Sequence, residues 1–159
     1  MLVVIHSGET GVERGAHYGA RTVELAVNGF MPLQGRDELG KIPVDVAAYL
    51  VPHAARSRRE AQIANIELSS AVLLLVPEAE KASAFPATRW LLTEIRNLGR
   101  RHFVADPKSS TDAVAEWLWA MAKAPEPLRL FITGPRGTRW DRGETFARRL
   151  VQTLAMEKP

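Results

Sequence analysis

Short apolar runs alternate with longer segments of helical periodicity, and this alternation constrains the fold more than any other feature. The runs Leu2–His6, Ala71–Val76 and Leu128–Thr133 are almost continuously apolar. Strands that alternate with helices form parallel sheets with right-handed crossovers. Strands without polar alternation are covered on both faces. The pattern therefore predicts an α/β sandwich of three layers around a mostly parallel sheet of about five strands.

The segments between these runs carry apolar residues three and four positions apart. They predict helices over Gly11–Val27, Arg56–Ser69, Ala87–Gly99, Ser110–Lys123 and Asp141–Met156. Ser110 or Thr111 is a suitable N-cap, and Gly99 is a suitable residue after a helix end. This is a Rossmann-like arrangement, and the 159 residues fit one ligand-binding domain over 1–159.

Composition excludes several function classes. The chain has no cysteine, which rules out disulfides, thiolate metal ligands and cysteine nucleophiles. Four histidines without helical i, i+4 pairing predict no protein-ligated metal. No apolar run reaches the roughly 18 residues of a membrane span, and the start lacks signal-peptide features. We expect a cytoplasmic protein that does not associate with a membrane. The net charge is +3, but the sequence has no long run of lysine and arginine residues, so we do not expect nucleic acid as a partner.

The strongest candidate site follows the first strand. Ser7, Gly8, Glu9, Thr10 and Gly11 open directly into a helix. Glycine allows the backbone to approach a ligand closely, and the first N–H groups of a helix face an anion. The sequence predicts a phosphate-binding loop here, although a tight strand–helix turn without a ligand fits it too. The loop lacks both the dinucleotide-binding fingerprint and the P-loop lysine.

A similar segment, Gly134-Pro135-Arg136, follows the last strand. Carboxyl ends of parallel strands share one edge of the sheet, so the two loops are predicted to form two sides of one anion site. Downstream, Asp141 and Glu144 have capping-box spacing and are interpreted as structural residues. Trp140 follows the loop, where an aromatic ring could stack on a pterin or purine.

Residues 34–55 form a long polar connection with several glycines. Connections of this length are often functional. We expect it either to fold over the crevice, with Gly35 close to the ligand and Arg36 reaching its phosphate, or to be a solvated surface loop.

Together these segments resemble the molybdenum-cofactor carrier proteins, a family of a wider Rossmann-like superfamily that includes the lonely-guy-type phosphoribohydrolases. The matching positions follow the order of the family motifs along nearly the whole chain. They are Ser7–Arg14, Gly35-Arg36, Gly40–Pro43, Arg58 and Arg59 with Asn65, and Gly134–Arg136.

The resemblance implies binding of the molybdenum cofactor (molybdopterin), a pterin with a phosphate and an anionic metal–dithiolene group, by a homo-oligomer, a dimer or a tetramer. The site residues expected from the loops and the resemblance are Ser7, Gly8, Glu9, Thr10, Gly11, Arg14, Gly35, Arg36, Arg59, Asn65, Thr88, Gly134, Pro135 and Arg136.

Departures from the family pattern leave alternatives open. Ser7 replaces a glycine and Glu9 a glutamine, so we expect Glu9 to turn away from an anion or to pair with Arg14. Pro86-Ala87-Thr88 occupies the position where the family has Gly-Gly-Thr. The hydrolase relatives have a glutamate shortly after this threonine, but here the next acid is Glu94, which is too far away to keep the same geometry. A binding protein rather than an enzyme is therefore expected. The alternatives are a nucleotide-binding sensor, an N-glycoside (nucleotide) hydrolase, and a divergent member whose site has decayed.

Overall fold

The structure is a computed structural model that describes residues 1–158. Its strands in chain order are β1 (Leu2–Ile5), β2 (Ala26–Asn28), β3 (Phe30–Met31), β4 (Arg36–Asp37), β5 (Gly40–Lys41), β6 (Val51–Pro52), β7 (Ala71–Leu75), β8 (Arg101–Ala105) and β9 (Leu128–Thr133). Its helices are α1 (Val12–Thr22), α2 (Val44–Ala47), α3 (Arg58–Leu68), α4 (Pro86–Asn97), α5 (Thr111–Trp119) and α6 (Gly143–Met156), with a 3₁₀ segment at Ala79–Ala84.

A parallel sheet of five strands lies at the centre, in the order β2-β1-β9-β7-β8. The last strand returns between β1 and β7, where Ile5 pairs with Phe131 and Leu74 with Thr133. Strand β7 is buried along its whole length, as its unbroken apolar sequence requires. Because β9 lies beside β1, the loops that follow these two strands emerge next to each other.

Helices cover both faces of the sheet, which confirms the predicted Rossmann-like three-layer architecture. The core on one face joins α1, α5 and α6 through residues such as Ala16, Leu118 and Leu150. The core on the other face includes Ile66 of α3 and Ile95 of α4. Burying this apolar surface is the main stabilising contribution to the fold, at about 25 cal/mol per Å².

Helices α1 and α6 pack closely because α1 carries glycine where they meet. A Cβ on Gly15 would lie 2.1 Å from the Glu144 carbonyl oxygen, and one on Gly19 would lie 2.6 Å from that of Arg148. The short distance holds the start of α6 beside the start of α1.

Two local predictions were wrong. The first helix ends at Thr22 instead of continuing to Val27, and residues 26–28 form the edge strand β2. Glu24, two residues beyond the end of α1, has a φ of 58°, a backbone conformation that a right-handed helix does not allow. The capping box at Asp141 and Glu144 is absent, because α6 begins after Arg142 without a side-chain cap.

The long connection is folded rather than irregular. Residues 30–52, here called the cover, contain β3, the β4–β5 hairpin, α2 and β6. Strand β3 pairs with β6, and Ile42, Val46 and Leu50 form a small apolar core with Tyr18 and other residues. The cover therefore packs against the body of the domain. Within residues 1–158, no helix has the length and apolar character needed to cross a membrane.

Candidate functional site

The candidate site lies where β1 and β9 end side by side. Two loops meet there, Ser7–Gly11 after β1 and Gly134–Thr138 after β9, here called the strand-end loops. The Gly137 amide donates a hydrogen bond of 3.0 Å to Thr10 Oγ1. A Cβ on Gly11, whose φ is +80°, would lie 2.7 Å from the Gly137 nitrogen and from the Pro135 carbonyl oxygen. The contact between the loops therefore requires glycine at this position.

Beneath the loops lies a buried carboxylate. Glu13, in the first turn of α1, is 1% exposed. It accepts hydrogen bonds from the amide (2.5 Å) and hydroxyl (2.7 Å) of Ser7, from Gln62 Nε2 (3.0 Å) and from Thr133 Oγ1 (3.0 Å). These contacts, here called the Glu13 network, join the first strand-end loop, α1, α3 and β9. Its four donors compensate for the desolvation of the charge.

A pair of histidines supports the same loop. The Gly8 amide donates to His6 Nδ1 at 2.9 Å, so His6 carries its proton on Nε2 and donates it to His17 Nδ1 at 3.0 Å. Burial lowers the pKa of His6 well below its usual value, with further lowering by His17 and Arg14. Burial also lowers the pKa of His17, which nearby Asp45 only partly opposes. Both rings are neutral at neutral pH and fix the conformation of Gly8.

The cover lies directly over the first strand-end loop. A Cβ on Gly8, whose φ is +86°, would lie 2.9 Å from Ile42 Cδ1 and 3.1 Å from Leu50 Cδ1. Ser7 is fully buried, and Glu9 and Thr10 are 5% and 8% exposed. A ligand can reach this loop only if part of the cover moves.

Three arginines are directed at the site, and each has a carboxylate partner. Arg14 Nη2 lies 2.5 Å from Asp37 Oδ2 and also donates to the Gly8 carbonyl. Arg58 Nη1 lies 2.9 Å from Glu9 Oε2, and Arg136 Nε lies 3.2 Å from Glu38 Oε2.

The partner of Glu9 differs from the expected one, since it pairs with Arg58 of α3 and not with Arg14. Arg14 is already held by Asp37 of the hairpin. Burial raises the pKa of Glu9, and the charge of Arg58 and the Thr10 amide only partly oppose this effect. Its Oε1 accepts the amides of Thr10 and Glu38, at 2.9 and 3.3 Å. Glu9 therefore ties the first loop to both α3 and the hairpin.

Glu38, between β4 and β5, contacts both strand-end loops. Its Oε1 accepts the Thr138 amide at 3.1 Å and the Thr10 hydroxyl, and its Oε2 accepts the Thr138 hydroxyl and faces Arg136. Burial raises the pKa of Glu38, but the hydrogen bonds from Thr10 and Thr138 and the charge of Arg136 outweigh burial and lower it overall. Glu38 is therefore ionised at neutral pH.

Other predicted site residues lie elsewhere or have other contacts. Asn65 is buried and bonds the amide and carbonyl of Phe30, at 2.7 and 3.0 Å, which fixes β3 against α3. The Arg59 guanidinium lies 5.0 Å from the centre of the Trp90 ring. Thr88 is buried in the first turn of α4.

Three further predicted site residues have backbone contacts with a structural role. The Gly35 carbonyl accepts the Ile42 amide and closes the base of the hairpin, and the Arg36 carbonyl accepts Arg58 Nη2. A Cβ on Gly134 would lie 2.1 Å from the Leu75 carbonyl oxygen, so glycine is required for packing there. Trp140, a candidate for stacking on a ligand, is buried against Phe146 with ring centres 5.8 Å apart.

Sequence reasoning missed several residues that the structure brings to this site. They are His6, Glu13, Asp37, Glu38, Gln62, Thr133 and Thr138. One signal was available, because an acid in the first turn after a glycine-rich loop lies close to the loop amides. The position of Glu38 depends on the fold of the cover and had no local signal.

The fold and these loops define a class: a Rossmann-like domain with glycine-containing loops at adjacent strand ends. The sequence model of the circularly permutated YpsA SLOG family matches residues 4–155, and the chain belongs to this family. The family relationship expected from the motifs is thereby confirmed.

A crystal structure of a protein named as a molybdenum carrier protein, from Syntrophus aciditrophicus SB, has the same fold, with a TM-score of 0.81. The alignment covers 98% of this chain and 95% of that chain at 16% sequence identity. No curated protein matches the sequence.

Proposed function

We propose that this protein binds an anionic, phosphate-bearing cofactor of the molybdenum-cofactor type at the strand-end loops, and that it carries or stores the cofactor without transforming it. The observation that supports the proposal is the convergence of the two loops with three guanidinium groups at one edge of the sheet. Guanidinium and loop N–H groups are the donors that phosphate prefers.

The residues present fit such a group. Thr10, Thr138 and Arg136 would hold the phosphate, because their donor atoms already surround one anionic side chain. The carboxylate of Glu9 would accept N–H groups of a pterin. The absence of cysteine also matters, because soft thiolates would compete with the dithiolene for the metal.

Binding without turnover is supported by the region around Thr88. The residue is buried in the first turn of α4, and Glu94 follows nearly two turns later. An acid at that distance cannot share a substrate atom with Thr88. We therefore expect no release of free base from nucleoside monophosphates, which chromatography after incubation would check.

The direct test is retention of the cofactor. Protein purified under anaerobic conditions would be mixed with released molybdenum cofactor, passed through a desalting column, and analysed for molybdenum and for pterin fluorescence after oxidation. We expect both in near-equal amounts. The Thr138→Ala/Arg136→Ala variant should lose retention, whereas Arg149→Ala, on the exposed face of α6, should keep it. Wild-type protein that retains neither molybdenum nor pterin would contradict the proposal.

We also expect a homo-oligomer in the cytoplasm, as the family resemblance implies. The apolar side chains of Leu39, Val44 and Val51 in the cover are 77%, 76% and 51% exposed. Light scattering after size-exclusion chromatography would give the mass in solution; a mass of one 17.6 kDa chain at all concentrations would contradict this expectation.

A further inference from the structure

We propose that the carboxylate of Glu38 occupies the position of the ligand's anionic group, and that the protein binds its ligand by exchanging this internal carboxylate for an external oxyanion. The inference rests on the proposed function for the identity of the natural ligand. It concerns a separate property, namely which group fills the anion site before the ligand arrives.

The donors around Glu38 are those of an anion site. Two hydroxyls, one backbone amide and one guanidinium converge on its two oxygens, and they come from both strand-end loops. Thr10 Oγ1 accepts the Gly137 amide, and the nearest acceptor for its own proton is Glu38 Oε1, whereas Glu9 Oε1 lies farther away at 3.4 Å. The side chain of Glu38 is 8% exposed, although its residue lies in a surface hairpin. A phosphate placed at the same point would receive the same donors.

Charge explains why a phosphate cannot simply join Glu38. Arg14, Arg58 and Arg136 face Asp37, Glu9 and Glu38. Glu13 lies beneath them, and within residues 1–158 its hydrogen-bond partners are the uncharged Ser7, Gln62 and Thr133. Carboxylates thus already outnumber guanidinium groups in the cluster. A further anion in this partly buried place would be repelled. Once Glu38 leaves, Arg136 and the two threonines are free to bind the incoming group.

The segment that carries Glu38 is well suited to move. Strands β4 and β5 are two residues each, joined through Arg36 with Lys41 and Asp37 with Gly40. Gly40 has a φ of +128°, and nothing lies within 4 Å of where its Cβ would be. Leu39, next to Glu38, is 77% exposed. Strands of two residues contribute few backbone hydrogen bonds, so the tip that carries Glu38 opens at a lower free-energy cost than a core strand.

The exchange lowers the apparent affinity of the wild-type protein. A site that is free for a fraction f of the time binds with an affinity reduced by f. If Glu38 fills the site about nine-tenths of the time, removing its carboxylate tightens binding about 10-fold. The effect should be specific to ligands that use Thr10, Thr138 and Arg136.

The test is a titration of ¹⁵N-labelled full-length protein with inorganic phosphate at constant ionic strength, followed by NMR. We expect Glu38→Ala to bind phosphate about 10-fold more tightly than wild type, with the Thr138 amide among the resonances that shift. The control Glu67→Ala removes the same charge from an exposed position of α3 and should behave as wild type. Adding Thr138→Ala and Arg136→Ala to Glu38→Ala should abolish the gain.

Two results would overturn the inference: Glu38→Ala binds phosphate no more tightly than wild type, or the gain persists without Thr138 and Arg136 side chains. If Glu38→Ala does not give a dispersed spectrum, Glu38→Gln, which keeps the size of the side chain but not its charge, decides by the same criteria. The cofactor-retention experiment separates the two proposals. Retention without a phosphate gain overturns only this inference, and a phosphate gain without retention overturns only the proposed function.

Discussion

Glu13 and Glu38 are both carboxylates with four polar partners, but they belong to different kinds of segment. The partners of Glu13 come from the first strand-end loop, α3 and β9, and the residue is 1% exposed. The partners of Glu38 come from loops, and Glu38 itself lies in a hairpin of two-residue strands. The first carboxylate holds core elements together, whereas the second can leave without unfolding the sheet. Equal numbers of contacts therefore give unequal contributions to stability.

The largest effect is expected for Glu13→Ala. The variant leaves the Ser7 amide, Gln62 and Thr133 without their acceptor in a buried place, which costs about 3 kcal/mol or more. Urea unfolding followed by circular dichroism would measure the loss. Glu116→Ala, at an exposed position of α5, serves as the control and should change stability by less than about 0.5 kcal/mol. A Glu13→Ala loss as small as that of the control would remove the distinction between the two carboxylates.

The second largest effect is expected from acid. Protonation of the His6–His17 pair should weaken the contacts that hold the first strand-end loop. Because the folded protein lowers the pKa of both rings, the unfolded chain binds more protons below about pH 6.5. Stability is therefore full above that pH and falls below it, by up to about 1.4 kcal/mol per pH unit for each proton.

Thermal unfolding between pH 5 and 8 would reveal this dependence. His17→Gln cannot be protonated and still accepts a bond from His6, so it should make the pH profile shallower, and the remaining slope is due to buried His6. His102→Gln, in β8 and away from the site, should leave the profile unchanged. A wild-type melting temperature that stays constant from pH 8 to 5 would contradict the assignment of neutral, buried rings.

A smaller effect is expected for Arg14→Ala, which tests how firmly the hairpin is attached. The variant leaves Asp37, with a side chain only 3% exposed, without its guanidinium partner. We expect a loss of about 2 kcal/mol and faster amide hydrogen exchange at the Ile42 amide, which closes the hairpin. Arg149→Ala is the matched control. Unchanged exchange in Arg14→Ala would show that this ion pair does not hold the hairpin.

The smallest change in stability is expected for Glu38→Ala, at about 1.4 kcal/mol near pH 7, because a side chain that fills its site nine-tenths of the time contributes the free energy of a 10-fold ratio. Because the pKa of Glu38 is lowered in the fold, its contribution is present above about pH 4.3 and is lost as the pH falls through its folded value. Urea unfolding at pH 7 and pH 3.5 should therefore show a larger difference between wild type and variant at the higher pH. A loss at pH 7 as large as that of Glu13→Ala would mean that Glu38 is a structural residue.

The sequence was informative where structure depends on local pattern. The bounds of β9, Leu128–Thr133, and the N-cap at Ser110 follow from apolar runs and capping chemistry. Strand β2 could not be predicted, because three residues are too few for a periodicity and they continue the apparent spacing of α1. Tertiary pairing with β1, rather than propensity, makes them a strand.

In the candidate site, too, the features set by local sequence pattern could be predicted and those set by tertiary contacts could not. Two loops at neighbouring strand ends could be predicted from their glycines and from parallel topology. The contacts of Glu38 could not, because they join positions that are 28 and 100 residues apart in the chain. The ion pair of Glu9 with Arg58 could not be predicted either, because Arg58 belongs to α3, which follows the cover in the chain.

A crystal structure of the wild-type protein with saturating inorganic phosphate tests the central claim most directly. We expect a phosphate bonded to Thr10 Oγ1, the Thr138 amide and Arg136, with the Glu38 carboxylate turned out of the site and the Glu13 network unchanged. A phosphate bound elsewhere while Glu38 keeps all its present contacts would contradict it.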